Sequence, residues 1–323
     1  MTPSPRITLL LFAFNQVALV GDAVRACLAQ EGEPLEIVLS DDASTDGTFA
    51  ELQRLAAAYG GPHHVRVRRN AVNLGVGAHY NAAVADCGGQ LIVTAAGDDI
   101  SLPHRVRTLA AAWDATGQEV DLLASHLIDM DAQGNDVGVL RVDNLAAWRS
   151  PDAWVHKRPY VVGASHAFTR RLFDRFGPIR ADLPYEDQVM ALRASCMGGG
   201  ITLDEPLVRY RRGGLSAASA TRLDAAGYRH ALAVKHTRQR ALALQISHDL
   251  TVAGRADLWG GRMLRKLHQS ELMLALFAAG SWGERQALVR KAHQAGVPWA
   301  LLQAVNVQWP AFGTWFRNRA LQR

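Results

Sequence analysis

Three pairs of neighbouring acids stand where the chain passes from one regular pattern to another. Asp98 and Asp99 follow the short apolar run 91–96, and Leu102-Pro103 behind them opens a helical segment. Asp41 and Asp42 end a second apolar run, 35–40. Glu186 and Asp187 stand between the loop Leu183-Pro-Tyr185 and an apolar-periodic stretch reaching Arg193. Two adjacent carboxylates repel each other unless a proton or a cation relieves them, and hard divalent ions bind such oxygens together with substrate phosphates. Asp98 and Asp99 therefore read as a metal and phosphate site or, equally, as a turn that caps the next helix. A carboxylate at position 41 or 42 can accept the ring N–H of a nucleobase or a ribose hydroxyl, whereas Ser44, Thr45 and Asp46 read as helix caps. Asp187 is the candidate general base; a first-turn acid is also what a helix dipole favours without any catalysis.

These positions require a scaffold that gathers them. Apolar runs at 7–14, 35–40 and 91–96 read as strands, the last bounded by Gly88-Gly89 and Gly97 as a central strand buried on both faces. Helical stretches at 17–30, 48–59 and 78–86 separate them, and Val65-Arg-Val-Arg68 alternates like an edge strand. This βαβαβ order predicts an α/β fold with a doubly wound, mostly parallel sheet and right-handed crossovers. In such sheets ligands collect outside the carboxyl ends of the strands, where Asp41, Asp42, Asp98 and Asp99 stand.

The chain has 323 residues, 49% hydrophobic and 20% charged, which suits a globular protein of one large or two modest domains. Three cysteines (Cys27, Cys87, Cys196) are odd in number and far apart, which argues for a reducing compartment and against a disulfide framework or zinc site. The first fourteen residues read as a strand rather than a signal peptide, and no run approaches the roughly 18 apolar residues of a spanning helix. The net charge of +5 hides an asymmetry: residues 1–221 carry 20 Lys+Arg against 25 Asp+Glu, and residues 222–323 carry 15 against 5. A boundary at the small-residue stretch 213–220 divides a first domain, 1–220, from a basic helical region, 221–323.

Taken in order, Phe14-Asn15, Asp41-Asp42-Ala-Ser-Thr-Asp-Gly-Thr48, Asn73-Leu-Gly-Val-Gly77 with Asn81, Gly97-Asp-Asp-Ile-Ser-Leu-Pro103 and Glu186-Asp187 resemble the family 2 glycosyltransferases of GT-A fold, over residues 6–216. The resemblance implies a cytoplasmic, inverting transferase, assisted by Mg2+ or Mn2+, that works in surface polysaccharide biosynthesis. Its donor would be a nucleotide-diphosphate sugar and its acceptor a hydroxyl of a saccharide or lipid-linked saccharide. By the same resemblance Asp99 is the metal ligand, Asp42 contacts the base, and Asp98 lies on the ribose side. Phe12, Asn15, Asp41, Asn73, Gly75 and Arg211 surround the nucleotide, Asp187 is the general base, and Glu186 and His166 face the acceptor. The sequence departs from the family at two points. Gly97 or Ala96 stands where many members have a further aspartate, which leaves fewer protein ligands for the metal. Gly213 stands where members often carry a histidine after paired basic residues. His166 also reads as a structural histidine, and Arg209-Tyr-Arg-Arg-Gly-Gly-Leu-Ser216 as a flap over the diphosphate or a solvated basic loop.

Other classes fit less well. A phosphoryl-accepting receiver domain needs a lone aspartate on the third strand and a lysine on the fifth, and neither is in place. A sugar nucleotidyltransferase needs a glycine-rich loop where Phe12-Ala-Phe-Asn15 stands, and Gly75-Val-Gly77 is too short for a dinucleotide loop. A non-catalytic nucleotide-sugar or carbohydrate-binding protein is a separate class, distinguished by turnover. The tail predicts helices at 223–250, 258–279 and 285–295, the last entered through Ser281-Trp-Gly-Glu284, and a fourth from Pro298. Its basic residues and five of the eight tryptophans suggest peripheral contact with the inner face of a membrane, or a packed cap or homodimer contact. Nucleic acid is not expected, because the basic residues are spread over several helices without a reading motif.

Overall fold

The computed structural model describes residues 6–212 and 224–294 in two compact units: 6–212 with 249–258, and 224–248 with 259–294. The segment 249–258, which the sequence assigns to the tail, thus packs with the first unit.

The first unit alternates β1 (Ile7–Ala13), α1 (Val20–Leu28), β2 (Glu36–Asp41), α2 (Thr48–Ala57), β3 (His64–Arg69), α3 (Val76–Ala85) and β4 (Leu91–Ala96). There follow β5 (Ile100–Ser101), α4 (Arg105–Ala115), β6 (Leu122–Met130), β7 (Asp136–Leu140), α5 (Pro151–His156), β8 (Ala167–Thr169), α6 (Arg170–Phe176), α7 (Asp187–Ser195) and β9 (Gly200–Arg211). One sheet runs β3-β2-β1-β4-β8-β6-β9-β5, with β7 beside β6. The first four strands are parallel, as are β6 and β9. Strand β8 is antiparallel to both its neighbours, and β5 and β7 pair antiparallel with β9 and β6.

The parallel half follows from its sequence. β1, β2 and β4 are buried along nearly their whole length around apolar centres, as strands covered on both faces are, and β3 alternates because it is an edge. In α1, Val20, Ala23, Val24 and Cys27 fall on one face and pack with Leu9, Leu11, Leu39 and Leu52. Full burial of each such leucine contributes about 1.5–3 kcal/mol. The antiparallel half is less regular. β9 carries Pro206, and its register against β6 slips on either side of His126, an irregularity that accommodates a residue with no N–H to donate. Arg209 and Arg211, expected in a loop, lie in β9. The continuation through Gly213–Gly214 to Ser216 lies outside the described residues, as does the helix expected from Pro298.

Three contacts hold the segment before α7. Gly77 lets α3 approach the backbone of Arg180, Ala181 and Leu183 so closely that a Cβ would collide with their carbonyls. Asn81 clamps Ile179 from both sides, donating to its carbonyl at 2.6 Å and accepting its N–H at 2.9 Å. Arg193, fully buried in α7, donates to Gly177 O at 2.8 Å and forms a two-pronged ion pair with the equally buried Asp249 at 3.0 and 3.1 Å. That pair ties 249–258 to the first unit, as does the two-pronged ion pair of Arg255 with Asp152 at 2.7 and 2.9 Å, and breaking a buried pair leaves an uncompensated interior charge.

The second unit comprises most of α8 (Ala225–Val252), α9 (Gly261–Ala278) and α10 (Trp282–Gln294), packed through Leu272, Met273 and Leu276 with Leu232, Leu288 and Val289. The expected cap forms: Ser281 Oγ accepts Glu284 N–H at 3.2 Å while the Glu284 carboxylate accepts Gly280 N–H at 2.8 Å. Among the described residues no helix is long and apolar enough to cross a membrane.

Candidate active site

β1 lies between β2 and β4 in parallel register, with Ala13 beside Asp41 and Phe12 beside Ala96. The residues that follow each strand therefore reach one rim. A cavity of about 660 Å3 opens there.

Asp42, just past β2 and 3% exposed, is fixed by three donors. Asn70 Nδ2 at 2.7 Å and Leu74 N at 2.9 Å reach one oxygen, and Gly75 N at 2.9 Å reaches the other. Gly75 has φ 76°, a left-handed conformation that turns its N–H onto Asp42 as α3 begins. Phe12 at the end of β1 stacks on Tyr80 with centroids 5.4 Å apart and meets His79 edge-on at 5.2 Å.

Asp98 and Asp99 occupy the turn between β4 and β5. Asp99 is 6% exposed and accepts the backbone N–H of Arg211 at 2.9 Å. Burial first, then the charge of Asp98, push its carboxyl up to about 7. Burial also raises Asp98, opposed by the Gln16 side-chain amide and the charge of Arg211. Arg105, fully buried at the start of α4, donates to Ser101 Oγ at 2.9 Å, Thr94 O at 2.9 Å and Ala164 O at 2.7 Å, and its charge also favours ionised Asp99. Such a pair fits a divalent cation: two adjacent carboxyls, both raised by burial and Asp99 further by the charge of Asp98, line the cavity together. Among the described residues no cluster of three His, Cys, Asp or Glu could hold a metal alone, so phosphate oxygens and water would complete the shell.

Glu186 and Asp187 line the same cavity from the start of α7. Asp187 Oδ1 accepts Gln188 N–H at 2.6 Å. Burial pushes the Asp187 carboxyl up to about 6, and burial followed by repulsion from Asp187 pushes Glu186 up to about 7. Gly163 packs directly on Glu186, where a Cβ would strike the carboxylate, and its carbonyl accepts Thr94 Oγ1 at 2.8 Å.

Phe12, Asp42, Asn73, Gly75, Asp98, Asp99, Glu186, Asp187 and Arg211 thus line one cavity, whereas Asn15, Asp41 and His166 do not. Asn15, at φ 50°, ties two loops together, accepting Thr45 N–H at 2.8 Å and donating its own N–H to Ser44 Oγ at 2.9 Å. Asp41 is fully buried and turned to Ser44 N at 3.0 Å and Arg69 Nε at 3.2 Å. His166 is 2% exposed, and burial, with Arg105 nearby, pushes it down to about 3; it is a neutral interior ring. The Arg211 guanidinium reaches the carbonyls of Asp98 and Ala132, each at 3.3 Å. The sequence reading missed Gln16, His79, Tyr80, Tyr160 and Tyr185, all in the cavity wall.

The architecture matches solved glycosyltransferases. S. aureus TarS 1-349 in complex with UDP-GlcNAc superposes with a TM-score of 0.55 at 14% identity, over 95% of this chain and 92% of that one. The mannosyltransferase PcManGT from Pyrobaculum calidifontis, in complex with GDP-Man and Mn2+, gives 0.53 at 19% identity, over 96% and 88%. At such identities the likeness shows the fold. In sequence, the succinoglycan biosynthesis protein ExoO of Rhizobium meliloti is 32% identical over 131 residues, 40% of this chain and 36% of that protein. The chain thus spans well under half the length of that curated relative. Residues 8–171, just over half of the chain and nearly all of the four parallel strands β1 to β4 with the first two acidic pairs, match the model of glycosyl transferase family 2, and the chain belongs to that family.

Proposed function

We propose that the cavity transfers a sugar from a nucleotide-diphosphate donor to a hydroxyl acceptor with inversion, in the assembly of a surface polysaccharide. The observation that carries this is the convergence of Asp42, Asp98, Asp99 and Asp187, from three segments of the chain, on one cavity at the carboxyl ends of parallel strands. Support also comes from family membership, from UDP-GlcNAc and GDP-Man in the two matched structures, and from the biosynthetic role in the name of ExoO.

In this reading Asp42 accepts a donor N–H of the base, Asp98 takes a ribose hydroxyl, and Asp99 with Asp98 would hold Mg2+ or Mn2+. When bound with the diphosphate, that ion would neutralise the charge growing on the leaving oxygens. Asp187 takes the proton of the acceptor hydroxyl while the oxygen of that hydroxyl bonds to the anomeric carbon and the bond from that carbon to the diphosphate oxygen breaks. A single displacement of this kind inverts the carbon, and a positioned base contributes about 10²–10⁴-fold. Tyr160 and Tyr185, 51% and 41% exposed in the cavity wall, offer aromatic faces to a saccharide acceptor. Arg262, Arg265 and Lys266, exposed at the start of α9, and Trp282, 43% exposed, favour contact with an anionic lipid surface. Cosedimentation with anionic vesicles but not neutral ones is the expected result for that contact.

Thermal shift with UDP-, GDP- and dTDP-sugars, with and without Mn2+, tests the donor reading. At least one donor is expected to stabilise the chain, and Asp99→Ala to abolish the Mn2+-dependent part of the shift. Absence of any stabilisation by these donors would contradict it.

A further inference from the structure

The acid at the nucleotide end of the cavity belongs to a hydrogen-bond network that starts at Arg68. A guanidinium can only donate, so each group it touches must accept. Its nitrogens reach Asp86 Oδ2 at 2.6 Å, Asn70 Oδ1 at 2.8 Å and Ser40 Oγ at 2.6 Å. With its oxygen taken by Arg68, Asn70 presents its Nδ2 to Asp42 at 2.7 Å, which leaves Asp42 as an acceptor toward the cavity.

The second arm ends on His79. Ser40 is fully buried in β2, and its Oγ lies 2.6 Å from His79 Nε2. The Ser40 proton needs an acceptor, Arg68 cannot supply one, and His79 Nε2 can. His79 Nε2 is therefore the acceptor and the ring proton sits on Nδ1. Burial keeps the ring neutral, pushing it down to about 4. Nδ1–H has no protein partner among the described residues, and the side chain lines the cavity together with Asp42.

We infer that His79 reads the nucleobase of the donor, its Nδ1–H donating to a ring nitrogen or carbonyl while Asp42 accepts from the neighbouring N–H. The inference rests on the nucleotide-sugar reading of the cavity and adds to it a residue that selects among bases. A base whose donor and acceptor fall in the right frame satisfies both groups. One in the wrong frame leaves a buried donor or acceptor unpaired, which costs more than a missing contact in water.

Titration calorimetry with UDP, GDP, dTDP, CDP, ADP and inorganic pyrophosphate, each with Mg2+, tests this on the full chain and two variants. The parent is expected to prefer one base over the weakest by about tenfold or more, the worth of one buried hydrogen bond. His79→Phe is expected to erase most of that preference and to leave pyrophosphate affinity unchanged. His79→Asn, whose amide nitrogen can overlie Nδ1, is expected to keep it. Should His79→Phe fail to fold, Ser40→Ala removes the proton that sets the tautomer and is expected to narrow the base preference with pyrophosphate affinity intact. Undiminished selectivity in His79→Phe or, in its place, Ser40→Ala would overturn the inference, as would equal losses for nucleotides and pyrophosphate. If the parent bound pyrophosphate but no nucleotide, the reading of the cavity would fall first and this inference with it.

Discussion

Burial makes the carboxyls of Glu186 and Asp187 hold their protons beyond the ordinary carboxylate range, and for Glu186 the charge of Asp187 adds to it. A base must be ionised to accept a proton, so kcat/KM is expected to be full above about 6 and to fall as pH drops through that value, well above the usual aspartate limb. A pH–rate profile checks this. Glu186 adds a stability effect of definite sign. Its pKa is raised on folding, so its favourable contribution is present below the ordinary glutamate value of about 4.3 and is lost as pH rises toward about 7. Glu186→Gln is therefore expected to melt with the parent at about pH 4 and above it at pH 8, and each 1 kcal/mol gained raises Tm by about 2–4 °C. Melting curves of equal separation at both pH values would contradict the assignment. At this scale the sequence showed the acids but not their partners. Asp41 and Asp42 are adjacent and alike in type, and only the donors from 70–75 reveal that Asp42 faces the cavity. His79 reads as one residue on a helix face because the groups that orient it lie on β2 and β3.

The segment that delivers Glu186 and Asp187 has little regular structure and depends on α3. Asn81→Ala removes both hydrogen bonds to Ile179 and is expected to cost about 1–3 kcal/mol, with a fall in kcat larger than the change in donor affinity. Denaturant melts and donor titrations separate the two effects. Gly163→Ala pushes the Glu186 carboxylate out of place and is expected to impair transfer with little loss of Tm, because the group it meets is a side-chain end rather than backbone. The strands of the parallel half were legible because a strand covered on both faces is a short apolar run ending in punctuation, and each motif acid follows such a run. β6, β7 and β9 were not. β7 is a solvent-facing edge, and β9 includes Asp204, Glu205 and Pro206 at a register slip, a composition that reads as loop. Asn81 and Gly77 were visible as part of a family pattern, but their task, docking a loop 98 residues away from Asn81, is set by tertiary contact alone.

The described residues form two compact units, and 249–258 packs with the sheet-bearing one, where Asp249 pairs with Arg193. Asp249→Ala leaves Arg193 charged and unpaired in the interior and is expected to cost about 3–5 kcal/mol, read from chemical denaturation. A chain cut at residue 220 loses the same partner and is expected to be less stable than the parent. Neither result could be foreseen from the sequence, in which Asp249 is one acid in a long alanine-rich helix. We propose that acids from separate segments form one transferring site with Asp187 as its base. Turnover of a bound nucleotide-sugar donor in Asp187→Asn reads that role. Donor affinity within about twofold of the parent with kcat reduced about 10²–10⁴-fold is the expected result. Transfer at the parental rate would contradict it.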